Sequence, residues 1–419
     1  MSVNPFDLNL RHLRSLSAIV TRGSMSAGAD AVSLSQPALT QGLAKLERQL
    51  GVRLFDRRSD GVRATAEGAI LTERSSMAFA HLAHAARSAA RGARGFARPE
   101  QLMTATQLRA FLQLADSGSF VAAALATGLS QPALHRAVRD LEQLSAIALI
   151  ERRGRGVALT GAGRRLARGV RLAANEIAAA LVEMRPDLAE GGTRITIGAM
   201  PLSRALLLPR AITQLSRTAP SVTTDIVEGA WRELVDPLRD GVIDMMIGAL
   251  RPEPPADLEQ HPLFMDQLVV VGRFGHPLAA IANPSLDDLA HYPWIVGRDA
   301  TPLRRQWETI FAGRPLPTAP LECGSVLMIR GVLRGTDFLT LLSPAQVALE
   351  IEARVLQRIG PPVADSVRNI GITTRAGWRP TALQSHFLNL VIDAAKSSTL
   401  SENEYVIEQS DWPRLSPSA

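Results

Sequence analysis

The sequence predicts a multidomain α+β and α/β protein: two tandem winged helix-turn-helix domains, each followed by a linker helix, and then a two-lobed α/β domain. Three observations predict it. The pentapeptide SQPAL stands at Ser35–Leu39 and again, 95 residues on, at Ser130–Leu134. After each copy come two short strand-like segments around a polar turn, the pattern of a hairpin. Beyond residue 193, strand-like and helical runs alternate, as in a parallel sheet of α/β units.

The pentapeptide is one part of a longer repeat. Residues 13–68 align with 108–163 without a gap and agree at 22 of 56 positions. Leu13 meets Leu108, Arg14 meets Arg109, Gly23-Ser24 meets Gly118-Ser119 and Leu46-Glu47 meets Leu141-Glu142. Further on, Arg57-Arg58, Gly61-Val62, Thr65 and Gly68 meet Arg152-Arg153, Gly156-Val157, Thr160 and Gly163. Register held over that length marks a duplicated domain, expected at 6–68 and 103–163.

Within the first copy, Leu13, Leu16, Ile19 and Val20 share one helical face. Gly23 ends that helix and Ser24 caps a short alanine-rich one ending near Val32. Ser35 is a good N-cap, and Pro37 falls in the first turn, where its missing N–H is harmless. Leu39, Leu43, Leu46 and Leu50 then recur at helical spacing, and Gly51 supplies a left-handed stop. Two short helices in tight succession make a helix-turn-helix. VRLFDRRSDGVRAT, with its Asp60-Gly61 turn, predicts the wing.

With the leucines turned inward, Ser35, Gln36, Thr40 and Gln41 face out. Glutamine can pair with adenine through two hydrogen bonds, and a helix N-terminus attracts phosphate. The expected DNA-binding set is Ser35, Gln36, Pro37, Thr40, Gln41, Lys45, Arg57 and Arg58 in the first copy. In the second it is Ser130, Gln131, Pro132, His135, Arg136, Arg139, Arg152, Arg153 and Arg155. Arg136 is the better guanine reader. Charge agrees with a polyanion partner for this part alone. Residues 1–190 carry 25 basic and 16 acidic side chains, whereas the rest is net acidic.

SQPAL, Leu46–Gly51, Leu54–Arg58 and Gly61–Gly68 together resemble the winged helix-turn-helix of LysR-type bacterial transcription regulators. The second copy matches through Ser130–Leu134, Glu151–Arg153 and Gly156–Gly163. It departs at Leu144-Ser145-Ala146, where the pattern has Leu-Gly, and a second copy is itself a departure. The resemblance implies DNA binding, a linker helix that dimerises the DNA-binding domains, and an effector domain.

The linker helices are expected at 66–98 and 161–186. In the second, Leu166, Val170, Ala173, Ile177, Leu181 and Met184 form a narrow apolar stripe suited either to a partner helix or to the protein's own core. His81 and His84, one turn apart, read as solvated. DLAEGG at 187–192 reads as a connector. Residues 193–395 then describe a periplasmic-binding-protein-like α/β effector domain, which the resemblance covers more weakly. Lobe I is expected at 193–271 and 368–395 and lobe II at 273–366, with crossings near Gly272 and Val367–Ile372. A polar tail at 398–419 is expected to be mobile.

Ligands of such sheets sit beyond strand C-termini, where helix N-termini converge. The effector set expected by this fold analogy is Met200, Pro201, Leu202, Ser203, Gly229, Ala249 and Leu250 from one lobe. The other lobe adds Gly297, Arg298, Thr301, Ser325 and Val326. Ser203 would open a helix suited to a carboxylate, and Arg298 would be a counter-charge.

Composition narrows the function. The one cysteine, Cys323, excludes an intrachain disulfide and a thiolate zinc site, and fits a reduced cytoplasm. No apolar run approaches the ~18 residues a bilayer span needs, and the N-terminus lacks a signal-peptide pattern. No nucleophile elbow, phosphate-cradling loop or His/carboxylate cluster stands in the sequence, so no catalytic residue, metal or cofactor is expected. The expected partners are double-stranded DNA, a small-molecule effector such as an organic acid or sugar derivative, and further copies in a homodimer or homotetramer. The alternatives are an effector-independent nucleoid architectural protein, against which the net acidic second half stands, and an enzyme with a DNA-binding anchor.

Overall fold

The computed structural model describes residues 3–59, 61–89, 96–154, 156–184, 194–205, 207–299 and 301–399. The chain forms two units, the second beginning at Arg194. In the first unit, α1 (Leu10–Arg22), α2 (Met25–Ala31) and α3 (Gln36–Leu50) precede a hairpin of β1 (Phe55–Arg58) and β2 (Gly61–Ala64), then α4 (Ala66–Ala89). The second copy repeats this as α5 (Ala105–Ser117), α6 (Phe120–Thr127), α7 (Gln131–Ser145), β3 (Ile150–Arg153), β4 (Gly156–Leu159) and α8 (Gly161–Met184). Residues 90–95, the connector at 187–192 and the tail from 400 lie outside the described residues.

The identities of the repeat are the joints of the fold. Gly23 and Gly118 end α1 and α5 at φ 62° and 61°, the left-handed region. Their carbonyls accept from Val62 and Val157 N–H at 3.0 and 3.1 Å, which ties each wing to the end of its first helix. One carboxylate oxygen of Glu47 accepts the N–H groups of Leu54 and Phe55 at 2.8 and 3.4 Å. Glu142 does the same for Leu149 and Ile150 at 2.8 and 3.3 Å. The hydroxyl of Thr65 donates to Arg53 O at 2.7 Å and accepts from Gly68 N–H at 3.0 Å, and Thr160 repeats this with Ala148 and Gly163. Leu39, Leu43 and Leu46 are buried, as are Leu134, Val138 and Leu141. Each such burial contributes about 1.5–3 kcal/mol.

The two recognition helices stop differently. Gly51 is left-handed at φ 68°, and Ala146 takes the same role at φ 54°. A side chain in that conformation costs about 1 kcal/mol relative to glycine. Ala146→Gly is therefore expected to stabilise the first unit by about 1 kcal/mol, read as a higher urea midpoint at unchanged m. A lowered midpoint would count against this account.

The apolar stripe of α8 packs on α4 of the same chain. The two helices run antiparallel: Arg165 Nε donates to Ser88 O at 3.0 Å, and a Cβ placed on Gly169 would lie 2.2 Å from Ala85 Cβ. Leu82, Ala85 and Ala89 share one core with Leu166, Val170 and Ile177. Inside this interface Arg74 is buried, donating to Glu176 at 2.8 Å and, by both Nε and Nη2, to Glu183. Burial opposes its charge, but the hydrogen bonds to Glu183 and Glu176 outweigh that and raise its pKa.

In the second unit, one five-stranded sheet has the order β6 (Thr223–Glu228), β5 (Arg194–Ala199), β7 (Met245–Ala249), β14 (Arg368–Arg375), β8 (Leu258–Asp266). The other runs β11 (Leu321–Glu322), β10 (Trp294–Val296), β12 (Leu339–Leu342), β9 (Val269–Arg273), β13 (Leu356–Ile359). Helices α9 (Leu207–Thr218), α10 (Trp231–Arg239) and α15 (Ala382–Thr399) belong to the first lobe. The second carries α11 (Leu286–Ala290), α12 (Pro302–Ile310), α13 (Val326–Leu333) and α14 (Ala348–Glu352).

One expected boundary moves here, and one strand is added. The first crossing falls at Gln267-Leu268, not near Gly272, because Val269–Val271 pair with β12 and β13 of the second lobe. β8 escapes a sequence reading because Pro262 interrupts it. Proline is tolerated there because β8 is an edge strand, paired with β14 alone across a register shift at Ile370/Gly371.

Candidate nucleic-acid interface and ligand cleft

Both recognition helices present their N-terminal turns to solvent. Ser35, Gln36, Pro37, Gln41 and Lys45 are exposed, as are Ser130, Gln131, Pro132, His135, Arg136 and Arg139. The serine hydroxyls each accept an N–H from three residues on, in the first turn, from Ala38 and Ala133 at 3.4 Å, which caps the helices. Two residues depart from the expected outward set. Thr40 is only half-exposed, and its hydroxyl donates to Gln36 O at 2.9 Å. His135 stacks flat on Phe120, ring centroids 3.6 Å apart, so one ring face is covered and the edge remains.

On the wings, Arg57 pairs in register with Val62 and Arg58 with Gly61. Arg152 and Arg153 occupy the matching positions of β3 and are exposed. Arg155, expected in the DNA-binding set, lies outside the described residues.

In the second unit, β5, β6 and β7 are parallel, so their C-terminal ends share an edge, as do those of β10, β11 and β12. Most of the expected ligand positions lie at these ends, but not all are accessible. Leu202 and Ser203 are buried. Ser203 spends its hydroxyl and its N–H on Met200 O, at 2.8 and 3.1 Å. The expected helix start at Ser203 is replaced by turns, and α9 begins at Leu207. Ser203 is thus a joint of the loop rather than a ligand group.

The N-terminus of α10, next to Gly229, is already occupied: Glu233 accepts the N–H of Ala230 at 2.7 Å. Met200, Gly229, Ala249 and Leu250 are half-buried and Pro201 is exposed. In the second lobe, Thr301 caps α12, accepting from Arg304 N–H and donating to Arg298 O, and Ser325 caps α13. Gly297 leaves room for Thr301, whose Oγ1 would lie 2.5 Å from a Cβ there. Arg298 is exposed, and Val326 is half-buried.

The sequence reading missed two arginines. Arg251 follows β7 by two residues and lies over the Trp231 ring, 5.2 Å from its centroid. Burial lowers its pKa, and the positive charge of Arg305 on α12 lowers it further. Positive charge on one lobe is thus within electrostatic reach of the other. A rule of looking one residue further past each strand would have found Arg251; Arg305 has no local signal.

Among the described residues no group of His, Cys, Asp and Glu could hold a metal ion, and no helix is long and apolar enough to cross a membrane.

Compared with known proteins, residues 189–396 match the LysR substrate binding domain. Residues 10–69 and 105–164 each match the bacterial regulatory helix-turn-helix protein, lysR family. The HTH-type transcriptional regulator GalR of Pseudomonas putida is 32% identical over 375 residues, spanning 88% of this chain and 93% of its own. PcaQ of Agrobacterium fabrum is 25% identical over 299 residues, 71% of this chain and 96% of its own. A full-length OxyR variant from Pseudomonas aeruginosa, 25% identical, superposes with a TM-score of 0.53 over 70% of this chain and 95% of its own. ArgP from Mycobacterium tuberculosis shares the fold at 21% identity and a TM-score of 0.56, over 69% of this chain and 96% of its own.

Proposed function

The chain belongs to the LysR family of bacterial transcriptional regulators, and on that premise we propose which residues carry each of its tasks. It is a DNA-binding regulator with an effector-binding domain rather than an enzyme. Gln36, Gln41 and Lys45 on α3 with its N-cap Ser35, and Gln131, Arg136 and Arg139 on α7 with its N-cap Ser130, meet the major groove. The wing arginines Arg57, Arg58, Arg152, Arg153 and Arg155 meet phosphate. The observation that carries this reading is the exposure of Gln36 and Gln131 at the tips of helices whose leucines are buried.

Arg136→Ala should relax base preference at one sub-site by about 1–3 kcal/mol, read by footprinting. Arg57→Ala should instead weaken binding to all sequences and flatten the salt slope by about one unit. Equal behaviour of the two variants would defeat the division of labour between helix and wing.

The second task is effector binding between the lobes. Arg251, Arg305 and Arg298 make an anion the favoured occupant, so of the two expected classes a small organic acid fits better than a neutral sugar. An acid that bridges the lobes relieves the repulsion between Arg251 and Arg305. It binds the closed form better than the open one and shifts the balance between them. A saturating acid ligand, at about 100 times its Kd, should stabilise the chain by about 2.7 kcal/mol, and a thermal-shift screen would show it. Neutral sugars shifting the melt where no acid does would overturn this preference. The regulator acts in the cytoplasm, and chains associate as homodimers or homotetramers. An architectural role without effector leaves the two-lobed unit without a task.

A further inference from the structure

The repeat relates α4 to α8 by 95 positions, and the contacts of one helix are returned by the other. Arg74 faces Glu176 and Glu183, which are the counterparts of His81 and Ser88. Gly169, the counterpart of Arg74, faces His81 O and Ala85. The same reciprocity joins the heads. Arg14 donates to Gln101 O at 2.8 Å, and its counterpart Arg109 lies 3.8 Å from Asp7. This is the geometry of a two-fold dimer interface, in which one surface patch meets its own equivalent, yet it lies within a single chain.

The two halves of the interface are not interchangeable. Two copies of α4 meeting in the same way would set each Arg74 against His81 and Ser88, burying two guanidinium groups with no carboxylate. Two copies of α8 would set Glu176 and Glu183 against Gly169, burying four carboxylates with no cation. Only α4 with α8 matches charge to charge, and two copies of α4 would in addition lack the glycine that admits the close approach. Charges left buried without partners discriminate strongly between pairings. The short tether between the copies favours the partner within the chain over one in another molecule.

We propose that Arg74, Glu176 and Glu183, with Gly169, form a pairing code that makes each chain a self-contained two-headed reader. α4 binds α8 in cis, and one chain, not two, engages both halves of an operator. Contacts between chains, where they form, use surfaces other than these helices. The heads are unequal at Thr40 and His135, and at Gln41 and Arg136, so each chain reads its two halves in a set direction. The consequence for operators rests on the DNA-binding reading above; the pairing itself does not, and its tests involve no DNA.

The first test uses the wild-type chain. Peptides from α4 and α8 should keep the same hydrogen-exchange protection across about a hundredfold dilution, since pairing in cis is independent of concentration. Protection lost on dilution overturns the proposal. The second test reverses the charges. Arg74→Glu alone, and Glu176→Arg/Glu183→Arg alone, should each lower the melting temperature of the first unit by about 10 °C. The three substitutions in one chain should restore most of that loss. Co-expressing the Arg74→Glu chain with the Glu176→Arg/Glu183→Arg chain should restore none of it, because neither chain then holds a matched pair. Rescue in the mixture, no rescue in the triple variant, or no loss in the single reversals would each overturn the code.

Discussion

Gly163→Ala is expected to destabilise the second DNA-binding head by about 3 kcal/mol, at the upper end of what overpacking costs. A Cβ at Gly163 would lie 2.0 Å from Leu149 O, and at Gly68 1.9 Å from Leu54 O. The obstacle is backbone, so no side-chain rotation relieves it. The backbone cannot readily retreat, because the same Leu149 O accepts from Thr160 N–H at 3.1 Å while Leu149 N–H is held by Glu142. Pushing the linker helix away would break this joint and tilt the wing. Equilibrium urea unfolding would show the loss, and Gly68→Ala should behave alike in the first head. Gly161→Ala is the control: its Cβ would meet the flexible ends of Arg165 at 3.5 Å and Arg164 at 4.0 Å, and its effect should stay within about 0.5 kcal/mol. A Gly163→Ala protein as stable as the control would mean that the joint yields more freely than its hydrogen bonds suggest.

Asp266→Ala should cost the second unit about 3 kcal/mol and loosen its hinge. Asp266 is the last residue of β8, directly before the first crossing between lobes. It is buried, accepts from Ser343 Oγ at 2.5 Å in the second lobe, and pairs with Arg368 at 2.8 Å where the chain returns to the first. One carboxylate thus ties both lobes and both strand ends. Alongside it, Leu268 N–H donates to Ser366 Oγ at 3.1 Å and Gln267 to Val363 O at 2.9 Å, so the two crossings are bonded to one another. Removing one member of a buried ionic pair costs about 3–5 kcal/mol, and the lower figure applies because Arg368 is partly solvated. Asp266→Asn, which keeps an acceptor for Ser343, should recover part of the loss. Denaturant unfolding resolved for the second unit would measure both. A change within about 0.5 kcal/mol for Asp266→Ala would remove it as the lock of the hinge.

Much of the first unit was legible because its information is local. Ser35 as N-cap, Gly51 as stop, the inward leucines and the hairpin around Asp60-Gly61 depend on neighbours a few residues away, and spacing encodes them. The repeat doubled that information, since each copy could be read against the other. The second unit was less legible. β8 was hidden by Pro262, whose tolerance depends on edge position, and the first crossing was misplaced because the apolar run through Val269–Val271 looks the same in either sheet. Ser203 suits an N-cap by its place after a strand, whereas packing turns it inward onto Met200 O.

By itself, the sequence determined that there are two reading heads, where each recognition helix begins and ends, and that an α/β unit follows. These follow from periodicity and turn chemistry, which act over a few residues. The tertiary structure alone decided that the apolar stripe of α8 meets α4 of its own chain, that Arg74 finds two carboxylates more than 100 positions away in sequence, and that Arg251 comes within electrostatic reach of Arg305. Contacts between distant segments depend on how whole faces match in shape and charge, and no local pattern in a single sequence records that match.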